Sequence, residues 1–426
     1  MIGIKNIIIK MMLSNISIIK VLFLFLPILL ITGPFLSDLA IVIISILFLV
    51  QIFKDKNNLF YLTNYFFLFF LIWYSYLIFT SLNSNYMLLS FESTLFYFRY
   101  GLFALAIFYL LNKDPSVLNL FPQVLIIIFI VLSVDGIFSF FYGYNFIGIE
   151  YGNKNNYRVT SFFGDESILG SYLIRLLPLV FLINQKKLNS NFNKIFFIIF
   201  LILVDITIVL TGERAAFFLN ILLNFLLIFL INKFRNILII KNLLCIIIIS
   251  LLFFVFPQKK ERLFDFTLEQ FNFKGEVTYI FSKDHHYHYL TAYNMFLDKP
   301  LFGHGPKSFR KVCDEQTYVE FNGCSTHPHN TYIQLLAETG TIGFIFIFGI
   351  FISINLIFLK QIYYGFKDKI NKYNDNLIIC LMCLYLNLFP FIPTGSFFNN
   401  WMNIIYFIPL GICVYYFKNS FNMYNK

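Results

Sequence analysis

The sequence predicts an all-α integral membrane protein of about 12 transmembrane helices with one large, partly helical loop on the outer side. Three observations carry this. Only 13% of the 426 residues are charged, against roughly 25% in a soluble globular domain. The composition is 59% hydrophobic and 21% aromatic, with 59 Phe. The polar residues collect in short clusters between long apolar runs, and those runs approach the roughly 20 residues that cross a hydrocarbon core about 30 Å thick.

Taken in order, the candidate spans lie near 16–33, 36–53, 59–81, 94–111, 119–142 and 168–184, then 195–211, 213–231, 238–256, 332–359, 377–394 and 401–417. Lipid offers no partner for backbone N–H and C=O groups, so these runs must be helical, and they are too long and too continuously apolar for barrel strands. The first run, Ile16 to Gly33, has no small-residue cleavage site and is followed by further spans, so it reads as an uncleaved first span. The chain divides into residues 1–256 with helices 1–9, a polar segment 257–331, and residues 332–426 with helices 10–12. The middle segment is too long for a connector. It has aromatics, Gly–Pro punctuation and apolar periodicity, and a short amphipathic helix is expected around Tyr287 to Leu297. No internal repeat is present.

The formal charge is +10. No basic block or zinc-finger spacing points to nucleic acid. Instead Lys and Arg alternate between short loops: Lys5, Lys10 and Lys20; Lys54 and Lys56; Lys113; Lys186, Lys187 and Lys194; Lys233, Arg235 and Lys241; Lys360, Lys367, Lys369 and Lys372; and Lys418 and Lys426. The intervening short loops hold only Lys154 and Arg158. By the positive-inside rule both termini are expected in the cytoplasm and residues 257–331 outside.

All six histidines, His285, His286, His288, His304, His327 and His329, fall in that outer segment. His327 and His329 are two apart across Pro328, which is not a helical metal-ligating spacing, and no Cys-x-x-Cys lies near them. No metal site and no cofactor are expected. Pro328 suits a first helical turn, which would set His329 at a helix N-terminus, where the dipole disfavours imidazolium and leaves a neutral general base.

The stretch His329-Asn330 followed by Gly340-x-x-Gly343 at the opening of a span, the turn Pro300-Leu301-Phe302-Gly303-His304-Gly305 and the run Thr211-Gly212-Glu213-Arg214 resemble the O-antigen ligase and polymerase superfamily of bacterial envelopes. The span count and the large outer loop resemble it too. The resemblance implies glycan transfer from an undecaprenyl-diphosphate carrier to an acceptor hydroxyl, at the periplasmic face of the inner membrane. The acceptor would be lipid A core for a ligase or another lipid-linked glycan for a polymerase, and the His-Asn-to-Gly spacing favours the ligase. It implies His329 as catalytic base and arginines on the donor diphosphate, with Arg214 first and Arg158, Arg175 and Arg310 as further candidates. Arg suits a leaving diphosphate because its fork is permanently charged and bidentate. His327, Asn330, His285 and Glu338 are the expected supporting residues.

Many relatives carry an Arg early in the amphipathic helix before the Pro-Leu-x-Gly turn. Here that position falls on His285 and its neighbours, so either these histidines and Arg310 supply the second phosphate contact or the acceptor geometry differs. Charge on the leaving group would be met without a metal, since the outer loops hold no Asp-x-Asp pair and Asp165-Glu166 is their only tight acidic pair. Cys245, Cys380, Cys383 and Cys413 fall in spans as small apolar packers, whereas Cys313 and Cys324 lie outside, where a disulfide persists, and are expected to pair. A transporter or flippase is the competing reading. Its sequence support is Asp135 and Asp205 inside spans, and the outer histidines fit it poorly.

Overall fold

A computed structural model describes residues 15–150, 158–183, 188, 190–271, 282–367 and 373–424. Lys5, Lys10, Lys154, Lys186, Lys187, Lys369, Lys372 and Lys426 lie outside the described residues.

The described chain is helical, with no strand beyond a single Tyr144–Glu150 bridge. Its helices are α1 (Asn15–Leu29), α2 (Pro34–Lys54), α3 (Tyr65–Leu82), α4 (Met87–Thr94), α5 (Phe98–Lys113), α6 (Val117–Tyr142), α7 (Leu169–Val180), α8 (Asn191–Thr211), α9 (Arg214–Leu230) and α10 (Arg235–Val255). After these come α11 (Pro257–Lys260), a π turn (Glu261–Asp265), α12 (Phe266–Phe271), α13 (Lys283–Asp298), α14 (Phe309–Val312), α15 (Thr331–Lys367), α16 (Asp375–Asn387) and α17 (Asn400–Tyr424). Among the described residues, 8 helices are long and apolar enough to cross a membrane, and α1, α7, α9 and α16 are shorter apolar helices. The protein is an all-α membrane protein.

Local chemistry sets the ends. Ser190 and Asn64 side chains accept the first free backbone N–H groups of α8 and α3, and Pro34 opens α2 where its missing N–H costs nothing. Gly143 and Gly212 close α6 and α8 in the left-handed conformation. Helix α16 is buried from Leu377 to its end and α5 from Tyr100 to Leu111, so they form the centre of the bundle. Helix α10 instead turns Ile246, Leu251 and Phe254 outward, Phe254 at 85% exposure, as a lipid-facing helix must.

Several expectations are corrected. The span near 377–394 ends at Asn387, because the chain through Pro390 and Pro393 turns back over the start of α15. Lys241, counted above with the loops, is buried inside α10 and donates to Asp205 Oδ2 at 2.6 Å and to Asn224 at 2.7 Å. Asn220 holds the other Asp205 oxygen. Asp135 likewise accepts the Phe146 N–H and the Ser161 hydroxyl. The two intramembrane aspartates that supported a transporter are therefore structural ties, each with its partners in place.

One end of the bundle is pinned by Lys20–Asp114 and Lys233–Asp375. The other end gathers the loop at Gly212, the segment 282–330 and the turn 388–399, where His329, Arg214 and most of the other expected site residues lie.

Candidate functional site

Helix α13 begins at an N-cap, Ser282, whose hydroxyl accepts the His285 N–H and also meets His285 Nδ1 at 2.5 Å. His285 and His288 are three apart on this helix and therefore share a face. His288 is fixed through Nδ1 to the Gly323 carbonyl at 3.0 Å. Facing them is His329, whose ring centroid lies 5.3 Å from His285, 5.5 Å from His288 and 4.1 Å from His327. Four of the six histidines thus converge, three of them around His329. His304 does not join them. It is buried against α13, where its Nε2 meets the Met295 carbonyl at 2.9 Å.

Helix α15 starts later than the sequence suggested. Asn330 is its cap: Oδ1 accepts the N–H groups of Tyr332 and Ile333, and Nδ2 donates to the Pro390 carbonyl. Pro328 therefore precedes the helix instead of opening it. His329 stands just before the cap with φ 57°, and its carbonyl receives the Thr394 N–H at 2.8 Å. A non-glycine residue held at positive φ stores strain, and such strain collects at functional sites.

The helix then breaks at Gly340 (φ 64°, ψ −170°). Such a break leaves carbonyls without helical donors. His304 N–H donates to Ala337 O, Gly305 N–H to Glu338 O and Tyr76 hydroxyl to Thr339 O. In return Thr341 donates to Pro300 O from both its N–H and its hydroxyl. The two backbones lie so close that a Cβ on Gly303 would come within 2.4 Å of Glu338 and one on Gly340 within 2.3 Å of Leu301. The Pro-Leu-x-Gly-x-Gly turn and the Gly340 motif are therefore one interlocked unit. Glu338 completes it: its carboxylate receives the Lys307 and Phe309 N–H groups, both at 3.0 Å, and Gln334 Nε2.

Burial is the first cause of the histidines' electrostatics. It pushes His329 down to about 4 with help from His288, His285 to about 4 with His329, His288 and Arg214 adding, and His327 to about 3 with His329 and Arg310 among the charges acting on it. All three are neutral at pH 7. His329 is thus a neutral imidazole, with desolvation and neighbouring imidazoles as the cause in place of the helix dipole.

Arg214 is the first residue of α9 and acts on His285. Its neighbour Glu213 reaches back to α7 and accepts the Gly170 N–H at 2.6 Å, the Ser171 N–H at 3.0 Å and the Ser171 hydroxyl at 2.7 Å. Arg158 acts on both Arg214 and Glu213, and its Nε is buried without a hydrogen-bond partner among the described residues.

Arg262, on the π turn, was not singled out from sequence. Its Nε donates to the Gly212 carbonyl at 2.9 Å, and burial, then Arg158 and Arg214, lower it to about 10. It stays charged at pH 7. Lys259, one turn earlier, donates to Leu210 O at 2.6 Å. The available signal was Lys259, Lys260 and Arg262, basic residues following a span on the side where the charge alternation leaves few.

Arg175 does not join this group. It is buried in α7 and donates to Asn387 Oδ1 at 2.7 Å, tying α7 to α16. Arg310 lies on α14, where it acts on His327. Cys313 and Cys324 are joined, with Cα atoms 5.0 Å apart, which ties the end of α14 to the segment leading to His327. Among the described residues no three His, Cys, Asp or Glu side chains are arranged to hold a metal ion.

Residues 196–348 match the model of a family described as O-antigen ligase. The matched stretch contains Arg214, Arg262, the four converging histidines and the interlocked glycines, and leaves out Arg158 and Arg175. No curated protein matches the chain.

Proposed function

With residues 196–348 placing the chain in the O-antigen ligase superfamily, we propose that it is a glycosyltransferase that moves a glycan from an undecaprenyl-diphosphate carrier to an acceptor hydroxyl. The observation that carries this reading is His329: a desolvated neutral imidazole at the end of a membrane bundle, with arginines on its flank. His329 takes the proton of the acceptor hydroxyl while that oxygen attacks the anomeric carbon. The bond from that carbon to the diphosphate oxygen breaks, and the carrier diphosphate leaves with the electron pair. Arg214, Arg158 and Arg262 meet the charge that develops there, and Arg262 stands in for the Arg that many relatives carry before the Pro-Leu-x-Gly turn.

A histidine near 4 is a weak base. The arriving diphosphate brings negative charge into a cationic, water-poor site and raises His329 toward its working range. The arginines thus hold the donor, while burial and the neighbouring His288 keep the base unprotonated in the empty site.

The charge alternation supports cytoplasmic termini and a site on the periplasmic face of the inner membrane. Lipid A core is the proposed acceptor, from the spacing of His329-Asn330 to Gly340-x-x-Gly343. The test is transfer in proteoliposomes from an undecaprenyl-diphosphate glycan to lipid A core. Product on lipid A core supports ligation, product lengthened on the carrier indicates the polymerase, and no product with either acceptor overturns the reading.

A further inference from the structure

Arg310 is one of four arginines that the sequence offers to the donor diphosphate, and its surroundings suit a different task. Helix α14 is fixed from both ends. At its start, the Lys307 and Phe309 N–H groups are bound by Glu338. At its end, Cys313 is bonded to Cys324, three residues before His327. Arg310 lies one turn before Cys313, so the covalent tie brings it against the segment that carries His327 and His329.

Arg310 Nε, a buried atom that can only donate, lacks a hydrogen-bond partner among the described residues. The His327 ring beside it is already engaged, through Nδ1 with Thr326 Oγ1 at 3.0 Å and with the Thr394 backbone. Unsatisfied buried polar atoms are few in folded proteins and call for a ligand or water. The charges facing this point are Lys307, Glu92, Glu338 and Arg99, and Arg310 itself acts on Glu338. Lys307 is lowered by burial first and by Arg310 second. Glu338 is committed to its three donors, and Glu92 acts on Lys307. No carboxylate among the described residues makes an ion pair with Arg310.

The two cationic groups act on different histidines. Arg214 acts on His285 and Arg310 on His327, and His329 contacts both rings. In a direct displacement the entering oxygen and the leaving diphosphate lie on opposite sides of the anomeric carbon. Cations beside the base on its second flank therefore face the entering substrate.

We propose that Arg310, with Lys307 beside it, binds an anionic group of the acceptor, a phosphate or carboxylate near the hydroxyl that His329 activates. The assignment rests on the glycan-transfer reading and deepens it: the acceptor is an anionic glycolipid, recognised by charge close to its reacting position.

The test uses the full chain in proteoliposomes with the lipid-linked glycan donor. The acceptor is the glycolipid fraction extracted from a strain lacking the gene. That fraction is used intact, phosphatase-treated, or with its carboxylates capped as amides. Arg310→Gln is expected to raise the acceptor KM by about tenfold or more, the worth of a charge-assisted hydrogen bond, with the donor KM little changed. Arg310→Lys should recover part of the loss. One of the two treatments should raise the wild-type KM by a similar factor and erase the difference between wild type and Arg310→Gln, and which one does so identifies the anion. A rise in donor KM, or a difference that persists on both treated acceptors, overturns the proposal. If Arg310→Gln fails to fold, Lys307→Gln should show the same pattern at smaller size, and an unchanged acceptor KM there also overturns it. Absence of transfer by the wild type on intact acceptor overturns the glycan-transfer reading itself.

Discussion

His329 combines a positive φ, a desolvated ring and three imidazole neighbours, and each feature has a measurable consequence. Because His285, His327 and His329 titrate below the ordinary histidine value near 6.5, the unfolded chain binds protons between that value and about 4 that the folded chain refuses. Their contribution to stability is complete above pH 6.5 and is lost as the pH falls toward 4. Thermal melts in detergent should show the melting temperature dropping across that window, less steeply for His285→Gln combined with His327→Gln. A flat profile in the wild type would remove the assignment of buried neutral rings. Arg214→Lys should raise the donor KM as well as lower turnover, because Lys keeps the charge and loses the bidentate fork. Arg262→Gln should raise the donor KM without moving the acceptor KM, and an unchanged donor KM would take Arg262 out of the diphosphate set. The sequence made His329 and Arg214 legible because short local motifs announce them. Arg262 was not legible. It reaches the site only through a π turn and a bond to the Gly212 carbonyl, neither of which has a spacing signature.

At the scale of elements, the interlock of Gly303 with Glu338 and of Gly340 with Leu301 joins the turn 300–305 to the break in α15. The sequence showed both motifs and could not show that they touch, since contact between backbones depends on tertiary approach and leaves no periodic trace. Gly340→Ala adds a Cβ at 2.3 Å from Leu301 at a positive φ, so it should cost about 1–3 kcal/mol from backbone strain alone. Gly349, on the same helix with open space around it, should tolerate Ala. Comparing the melting temperatures of the two variants separates the interlock from general helix effects, and equal behaviour would contradict it. Helix α13 was legible near its true position because its apolar periodicity is local. The start of α15 was misplaced because Pro328 and Asn330 both carry start signals, and only the structure shows that Asn330 makes the capping bonds.

For the whole molecule, membrane residence followed from composition, since no soluble core needs so few charges. The proposed topology has both termini in the cytoplasm. Reporter fusions after Lys113 and Lys233 should report as cytoplasmic, and a fusion at Asn272, which lies outside the described residues, as periplasmic. A cytoplasmic Asn272 would place the histidine cluster on the wrong side for a periplasmic acceptor. Lys241 shows where charge counting alone misleads: a lysine near a span end turned inward to Asp205 is a packing element and carries no topological vote.

The central claim is that His329 activates the acceptor while the arginines hold the donor. Turnover and donor affinity measured together on reconstituted His329→Ala test it most directly. Turnover should fall by about 10²–10⁴, the range for loss of an acid–base catalyst, while donor affinity and melting temperature stay close to wild type. His327→Ala should lose much less turnover. A folded His329→Ala chain that transfers glycan at near-normal rate, or one that loses donor binding in step with turnover, would contradict the claim.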